Sequence, residues 1–170
     1  MKIIKIICLL TFFILIHACK DKDSPNPADN LPPETQTGQQ TFGCIVNGRA
    51  WVPSVPFPLI RLGVSYYHGG FSVIAKLKKG SIYQAISINK FNVIQPGTFT
   101  LTTYNNSSDA QLYDFNSGCS FDTNAQNIGI LEMTRVDSIN GIFSGRFHFK
   151  IGVAGCDTIR VADGRFDLRL

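Results

Sequence analysis

The sequence predicts an all-β fold, an antiparallel β-sandwich of roughly eight to ten short strands. Three observations carry this. From Thr41 onward apolar residues recur with a period of two, turn-forming dipeptides interrupt that pattern at short intervals, and no stretch carries the 3.6-residue period of an amphipathic helix. A small closed β-barrel is the alternative, because the same alternation serves a sheet that closes on itself.

The first strand pair joins residues 41–46 to 49–52 across Asn47-Gly48, two residues that tolerate the positive φ of a tight hairpin turn. A further strand is expected over 59–66. Phe71, Val73, Ala75 and Leu77 then alternate with Ser72, Ile74, Lys76 and Lys78, which places one apolar face inward. Lys79-Gly80 offers a turn, and residues 82–91 read as the partner strand. Strands follow at 98–103 and 128–136. Asn140-Gly141 is a two-residue hairpin signal. After it Phe143, Phe147, Phe149 and Ile151 face one way, while Ser144, Arg146, His148 and Lys150 face the other. The last strands are read at 158–162 and at the chain's end, where Phe166, Leu168 and Leu170 alternate with Arg165, Asp167 and Arg169. Residues 104–126 are the least regular stretch and read as a long loop, the kind of segment where binding residues concentrate.

Ahead of this domain the chain has a different character. Lys2 and Lys5 precede an apolar run over residues 6–16, and His17-Ala18-Cys19 closes it, the order of regions in a secretory signal. That run of about eleven residues is short against the roughly twenty that a helix needs to cross a bilayer. Ile16-His17-Ala18-Cys19 resembles the lipobox of bacterial lipoproteins, with an aliphatic residue three before the cysteine and alanine directly before it, although His17 departs from the pattern. The resemblance implies a signal peptide over 1–18 and an acylated Cys19 at the mature amino terminus. Residues 19–40 are dense in Asp, Pro, Asn, Thr and Gln, with no apolar run. They are expected to be a disordered tether, because such a segment buries too little surface to offset the entropy of ordering it. Residues 41–170 remain, about 130 in number, the usual size of a single domain with one core.

With Cys8 in the leader and Cys19 acylated, Cys44, Cys119 and Cys156 are left, enough for one disulfide in an oxidising compartment. Cys119 and Cys156 are the candidate pair, since Gly118 and Gly155 beside them let the backbone adapt. Cys44 lies in an apolar strand pattern and reads as a small hydrophobe. Three cysteines so widely separated, without clustered histidines, do not make a metal site, and no cofactor is expected.

Charge narrows the partners. Lys and Arg total 16 against 12 Asp and Glu, for a net charge of +4, but the cations are scattered singly apart from Lys76, Lys78 and Lys79. That is not the basic stripe of a nucleic-acid binder, and a charged hairpin end that keeps a strand edge soluble accounts for the cluster.

The segment Phe42-Gly43-Cys44-Ile45-Val46-Asn47-Gly48, together with the closing Asp163-Gly164-Arg165-Phe166-Asp167, resembles a family of small lipoproteins from Bacteroidota. The resemblance spans the domain, and its firmest motifs lie at the two ends. It implies an envelope location and a β architecture, and it lends no catalytic residue. Lys20-Asp21-Lys22-Asp23 resembles the export signals that send such lipoproteins to the outer face of the outer membrane, although its charges alternate, so that both a surface-exposed and a periplasm-facing location stay open. Asp137-Ser138-Ile139 and Asp157-Thr158-Ile159 match the short O-glycosylation pattern of these bacteria, which makes Ser138 and Thr158 candidate acceptors.

No Gly-x-Ser-x-Gly elbow, His-Glu-x-x-His pair or phosphate-cradling glycine loop occurs. Tyr66, Tyr67 and His68, beside Gly69-Gly70, are the candidate ligand-binding residues, since two aromatics at a glycine turn can stack on a sugar ring. A hairpin corner whose tyrosines cover the core edge is the competing reading. His148 reads as a surface histidine, Trp51 as a core residue, and Arg165 with Asp167 as a surface charge pair. The expectation is a non-enzymatic cell-envelope lipoprotein, held to the membrane by its N-terminal lipid, that binds a glycan, peptide or envelope protein. A barrel carrying an apolar ligand is the alternative, and a hydrolase ranks last because its residues carry no arrangement of nucleophile and base.

Overall fold

The computed structural model describes residues 26–103 and 108–170. The signal peptide expected over residues 1–18, Cys19 and the Lys20–Asp23 motif lie outside the described residues. Among the described residues eleven strands form two antiparallel sheets: β1 (Thr41–Val46), β2 (Arg49–Trp51), β3 (Leu62–Tyr67), β4 (Gly70–Lys79), β5 (Ile82–Lys90), β6 (Gly97–Leu101), β7 (Asp109–Asp114), β8 (Ser120–Asp122), β9 (Gly129–Asp137), β10 (Ile142–Ile151) and β11 (Ile159–Arg169). One sheet runs β2-β1-β11-β10-β9-β6 and the other β3-β4-β5-β7-β8.

The fold is therefore a β-sandwich. The barrel alternative fails because each sheet keeps two edges, β2 and β6 in one and β3 and β8 in the other. The space between the sheets is filled. Phe42, Phe143, Phe147, Leu131 and Met133 of the six-stranded sheet meet Phe71, Val73, Ile86, Ile88 and Leu112 of the five-stranded one. Phe71 packs on Phe143 at 5.7 Å and on Phe166 at 5.5 Å between ring centroids, so it joins the two layers directly. Trp51 is buried as expected, edge-on to Phe42, with its indole N–H donating to Gln84 Oε1 at 3.1 Å.

Several elements differ from the sequence reading, each for a local reason. The stretch 104–126 contains β7, which pairs with β5 inside its sheet, and β8 at the edge. β7 is short, and only Ala110 and Leu112 mark its inner face, so its alternation is easily lost among Asn and Ser. The final strand is one element rather than two. A bulge at Asp163, with φ of 50°, shifts its inward set from Ile159 and Val161 to Gly164, Phe166 and Leu168, and that change of parity breaks the pattern in sequence. Asn140-Gly141 belongs to a four-residue connection over 138–141, because Asp137 pairs with Ile142 and its carboxylate accepts hydrogen bonds from Asn140.

The tether expectation also changes from Asn26 onward. Asn26 caps a 3₁₀ turn (Pro27–Asn30) that packs against β2 and β1, and Leu31 is buried. A Cβ on Gly43 would lie 2.7 Å from the Pro32 ring, so this glycine is what lets the segment lie down on the sheet. Residues 33–39 continue across the outer face of the six-stranded sheet as a strap. The composition argument missed it because what holds the strap is hydrogen bonding to Asp167, not apolar burial.

Candidate functional site

Alternation along β10 turns Ser144, Arg146, His148 and Lys150 to the outer face of the six-stranded sheet. β11 adds Arg160, Arg165 and Asp167, and β9 adds Ile130, Glu132 and Thr134. The strap then divides this face into a covered end and an open end. Under the strap Asp167 is only 1% exposed and Ser144 is fully buried. The Asp167 carboxylate accepts hydrogen bonds from Thr35 Oγ1 at 2.6 Å, the Gly38 amide at 2.7 Å, the Thr37 and Gln39 amides at 3.0 and 3.1 Å, and Ser144 Oγ at 2.8 Å. Burial pushes its pKa up, but the donors from Thr35, Thr37, Gly38 and Ser144 outweigh that and hold it at about 2. The expected surface pair of Arg165 with Asp167 does not form, because four donors of the strap and Ser144 of β10 hold the carboxylate, which is buried beneath them.

Where the strap ends its crossing, the open face is concave. A cleft of about 220 Å³ lies between Pro33–Gln36 and the sheet, and a second of about 390 Å³ continues over Glu132, His148 and Asp163. Glu34, Arg146 and Arg165 line both. Arg146 reaches Glu34 with Nη2 at 2.6 Å and Nε at 2.8 Å, and its Nη1 approaches Glu132 at 3.3 Å. These hydrogen bonds, chiefly from Arg146, lower the Glu34 pKa against a smaller effect of burial, and the Arg165 charge adds to the lowering.

Arg165 itself is the unmatched group. Its Nε is buried without a hydrogen-bond partner, and among the described residues it forms no ion pair. A guanidinium presents donors in a planar fork suited to carboxylate or phosphate oxygens. The groove therefore holds one arginine already bound to a carboxylate of its own chain and one that is not.

The outer face of the five-stranded sheet is different in kind. Ser72, Asn89 and Asp109 form one hydrogen-bonded row, and Gln111, Ser120 and Asp122 a second. Burial raises the Asp109 pKa, Asn89 opposes this, and the Asp122 charge adds to the rise. Nearby Tyr83 stacks on Phe115 at 4.2 Å, with Tyr113 edge-on at 4.8 Å and Lys78 Nζ 4.9 Å above the Tyr83 ring.

Tyr66, Tyr67 and His68 are not brought together. Tyr66 points inward, its ring 4.6 Å from Phe143 and its hydroxyl donating to the Val93 carbonyl at 2.8 Å. Tyr67 points outward, and His68 occupies the hairpin turn with φ of 46°. The hairpin-corner reading describes Tyr66, and the remaining two form an exposed edge-on pair. Cys119 and Cys156 are joined in a disulfide that ties the β7–β8 turn of one sheet to the β10–β11 connection of the other. Cys44 is free and buried, which pushes its thiol pKa up. Ser138 is exposed in the β9–β10 turn, and Thr158 is exposed in the β10–β11 connection directly before β11.

The sequence reading placed Arg146 on the polar face and weighed Arg165, but missed Glu34 because it assigned that residue to the tether. One signal was present. Leu31 is the single large apolar residue of segment 20–40, and it stands directly before the stiff pair Pro32-Pro33. No family model matches this chain, and no curated protein or solved structure matches it either.

Proposed function

We propose that this chain is an exported cell-envelope lipoprotein whose sandwich is a non-enzymatic binding module, and that its ligand site is the groove between the strap and the outer face of the six-stranded sheet. The observation that carries the site is Arg165, a cation with a buried, unpartnered Nε set where two clefts meet. Leaving such a donor unmatched costs about 1–3 kcal/mol, and the part-exposed Arg165 forms no ion pair among the described residues, so its charge is available to an anionic group entering the groove. The ligand class that follows is an acidic glycan or an acidic peptide, recognised through its carboxylates by Arg165 and at the rim by Arg146. The charged leader and the lipobox-like Ile16-His17-Ala18-Cys19 support the address and the anchor.

Thermal-shift screening of the mature chain tests the site. Uronate-bearing oligosaccharides and Asp/Glu-rich peptides are expected to raise the melting temperature in a concentration-dependent way, because a ligand bound only by the folded state stabilises it by mass action. Neutral sugars are expected to leave it unchanged. Equal shifts with both sets, or none with either, would reject the site. Protease shaving of intact cells, with mass analysis of the mature amino terminus, tests the address separately.

A further inference from the structure

The connection between β2 and β3 carries an apolar prong that serves no packing role. Phe57 is 97% exposed, Ile60 72% and Leu59 45%, three large apolar side chains within four residues. The base of the prong is rigidly held. The Ser54 amide donates to the Lys76 carbonyl at 3.0 Å, the Lys78 amide to Ser54 O at 2.6 Å and the Lys76 amide to Arg61 O at 2.8 Å. Within it the Leu59 amide closes a turn on Pro56 O at 3.0 Å. Pro53, Pro56 and Pro58 restrict the backbone further, so the apolar tip is presented without an ordering cost at the moment of contact.

The strands that hold it are basic. Lys76 and Lys78 lie on the strand that holds the prong, Lys79 ends that strand, Arg61 closes the prong and Arg49 lies on β2 just before it. Among the described residues none of these five forms an ion pair. An exposed apolar tip on basic strands whose cations form no ion pair complements the interface of an anionic bilayer, where the tip enters the headgroup region and the cations meet phosphates.

The chain's own path points the same way. The 3₁₀ turn at Pro27–Asn30 packs against β2, so the described chain begins at the sheet edge from which the prong leaves. Seven links separate Cys19 from Asn26, a reach of at most about 25 Å when fully extended. An acylated Cys19 therefore holds this edge close to the lipid surface.

We infer that residues 55–60 and the basic residues of β2 and β4 beside them form a membrane-contact face that inserts Phe57, Leu59 and Ile60 into the headgroup region of an anionic lipid bilayer. The inference rests on the anchor reading for its geometry, and the experiment keeps the two apart. The full chain, purified from the membranes of expressing cells, is reconstituted into phosphatidylethanolamine–phosphatidylglycerol vesicles containing brominated lipid. Phe57→Trp and Ile139→Trp variants are compared with the unsubstituted chain, whose one native tryptophan is the buried Trp51. Ile139 is 95% exposed, at the end of the six-stranded sheet opposite the Asn47-Gly48 turn. The tryptophan at 57 is expected to lose about half or more of its emission, as insertion into the acyl boundary requires, and the one at 139 little. Paired Lys78→Glu and Lys79→Glu substitutions are expected to reduce the quenching at 57. Quenching at 57 no greater than at 139 overturns the contact face, whether or not the chain is acylated. Mass analysis of the same sample reports acylation, and its absence overturns the anchor while the quenching still decides the face.

Discussion

Asp167 on the last strand accepts a 2.6 Å hydrogen bond from the hydroxyl of Thr35, a residue 132 positions earlier in the chain. The contact fixes a polar segment onto a sheet with almost no apolar burial, and it shapes the groove in which Glu34, Arg146 and Arg165 meet.

Asp167→Ala should release the strap. It removes the common acceptor of Thr35, Thr37, Gly38, Gln39 and Ser144, and hydrogen bonds to a charged group support a loss of about 2–3 kcal/mol. Hydrogen exchange at the Thr37, Gly38 and Gln39 amides should rise together, while exchange in β4 and β5 stays as it was.

Acid should act on the same latch. The folded Asp167 carboxyl titrates at about 2, below its ordinary value of 3.8. Its contribution is therefore complete above that ordinary value and disappears as pH falls from there through about 2. Asp167→Asn should flatten the stability profile in this acidic window, and an unchanged profile would show that the latch lies elsewhere.

Breaking the disulfide by Cys119→Ser with Cys156→Ser opens a loop of 37 residues between the sheets. Loop-closure entropy predicts a loss of about 3–4 kcal/mol. Denaturant unfolding of the double variant measures it, and a reducing agent should bring the native chain to a similar midpoint.

Gly164→Ala should damage the core. A Cβ there would lie 2.5 Å from the Phe147 carbonyl oxygen and 2.6 Å from its ring, and backbone on one side leaves no room to yield. Overpacking of this kind costs about 1–3 kcal/mol, read as a lower denaturation midpoint. By contrast Gly155→Ala meets no atom and carries only the strain of a φ of 80°.

Arg165→Gln separates binding from stability. Because its buried Nε has no partner in the fold, the substitution should lower stability by no more than about 0.5 kcal/mol, and it removes the cost of an unmatched donor. Affinity for an acidic ligand should fall by about tenfold or more, the equivalent of 1.4 kcal/mol, as measured by calorimetry.

Most of the sandwich was legible in the chain because strand faces follow a local rule. Phe71, Val73, Ala75 and Leu77 alternate in sequence and are all buried in β4, and Asn47-Gly48 takes up the positive φ values that its chemistry allows. The disulfide was favoured too, through the glycines beside Cys119 and Cys156. Short or shifted strands were not. β7 offers two inward residues, and the bulge at Asp163 reverses the parity of β11 midway.

Residue pattern alone determined the all-β class and the apolar faces, since each depends on neighbours a few positions away; it favoured Cys119 with Cys156 through their glycine neighbours but did not choose the pair, which the fold decided along with the free state of Cys44. Tertiary structure decided that the sheets stay open, that residues 33–39 cross over Asp167, and that Arg165 is left without a partner. Those outcomes depend on groups more than a hundred residues apart competing for the same hydrogen bonds, and no local period in the chain records which of them wins.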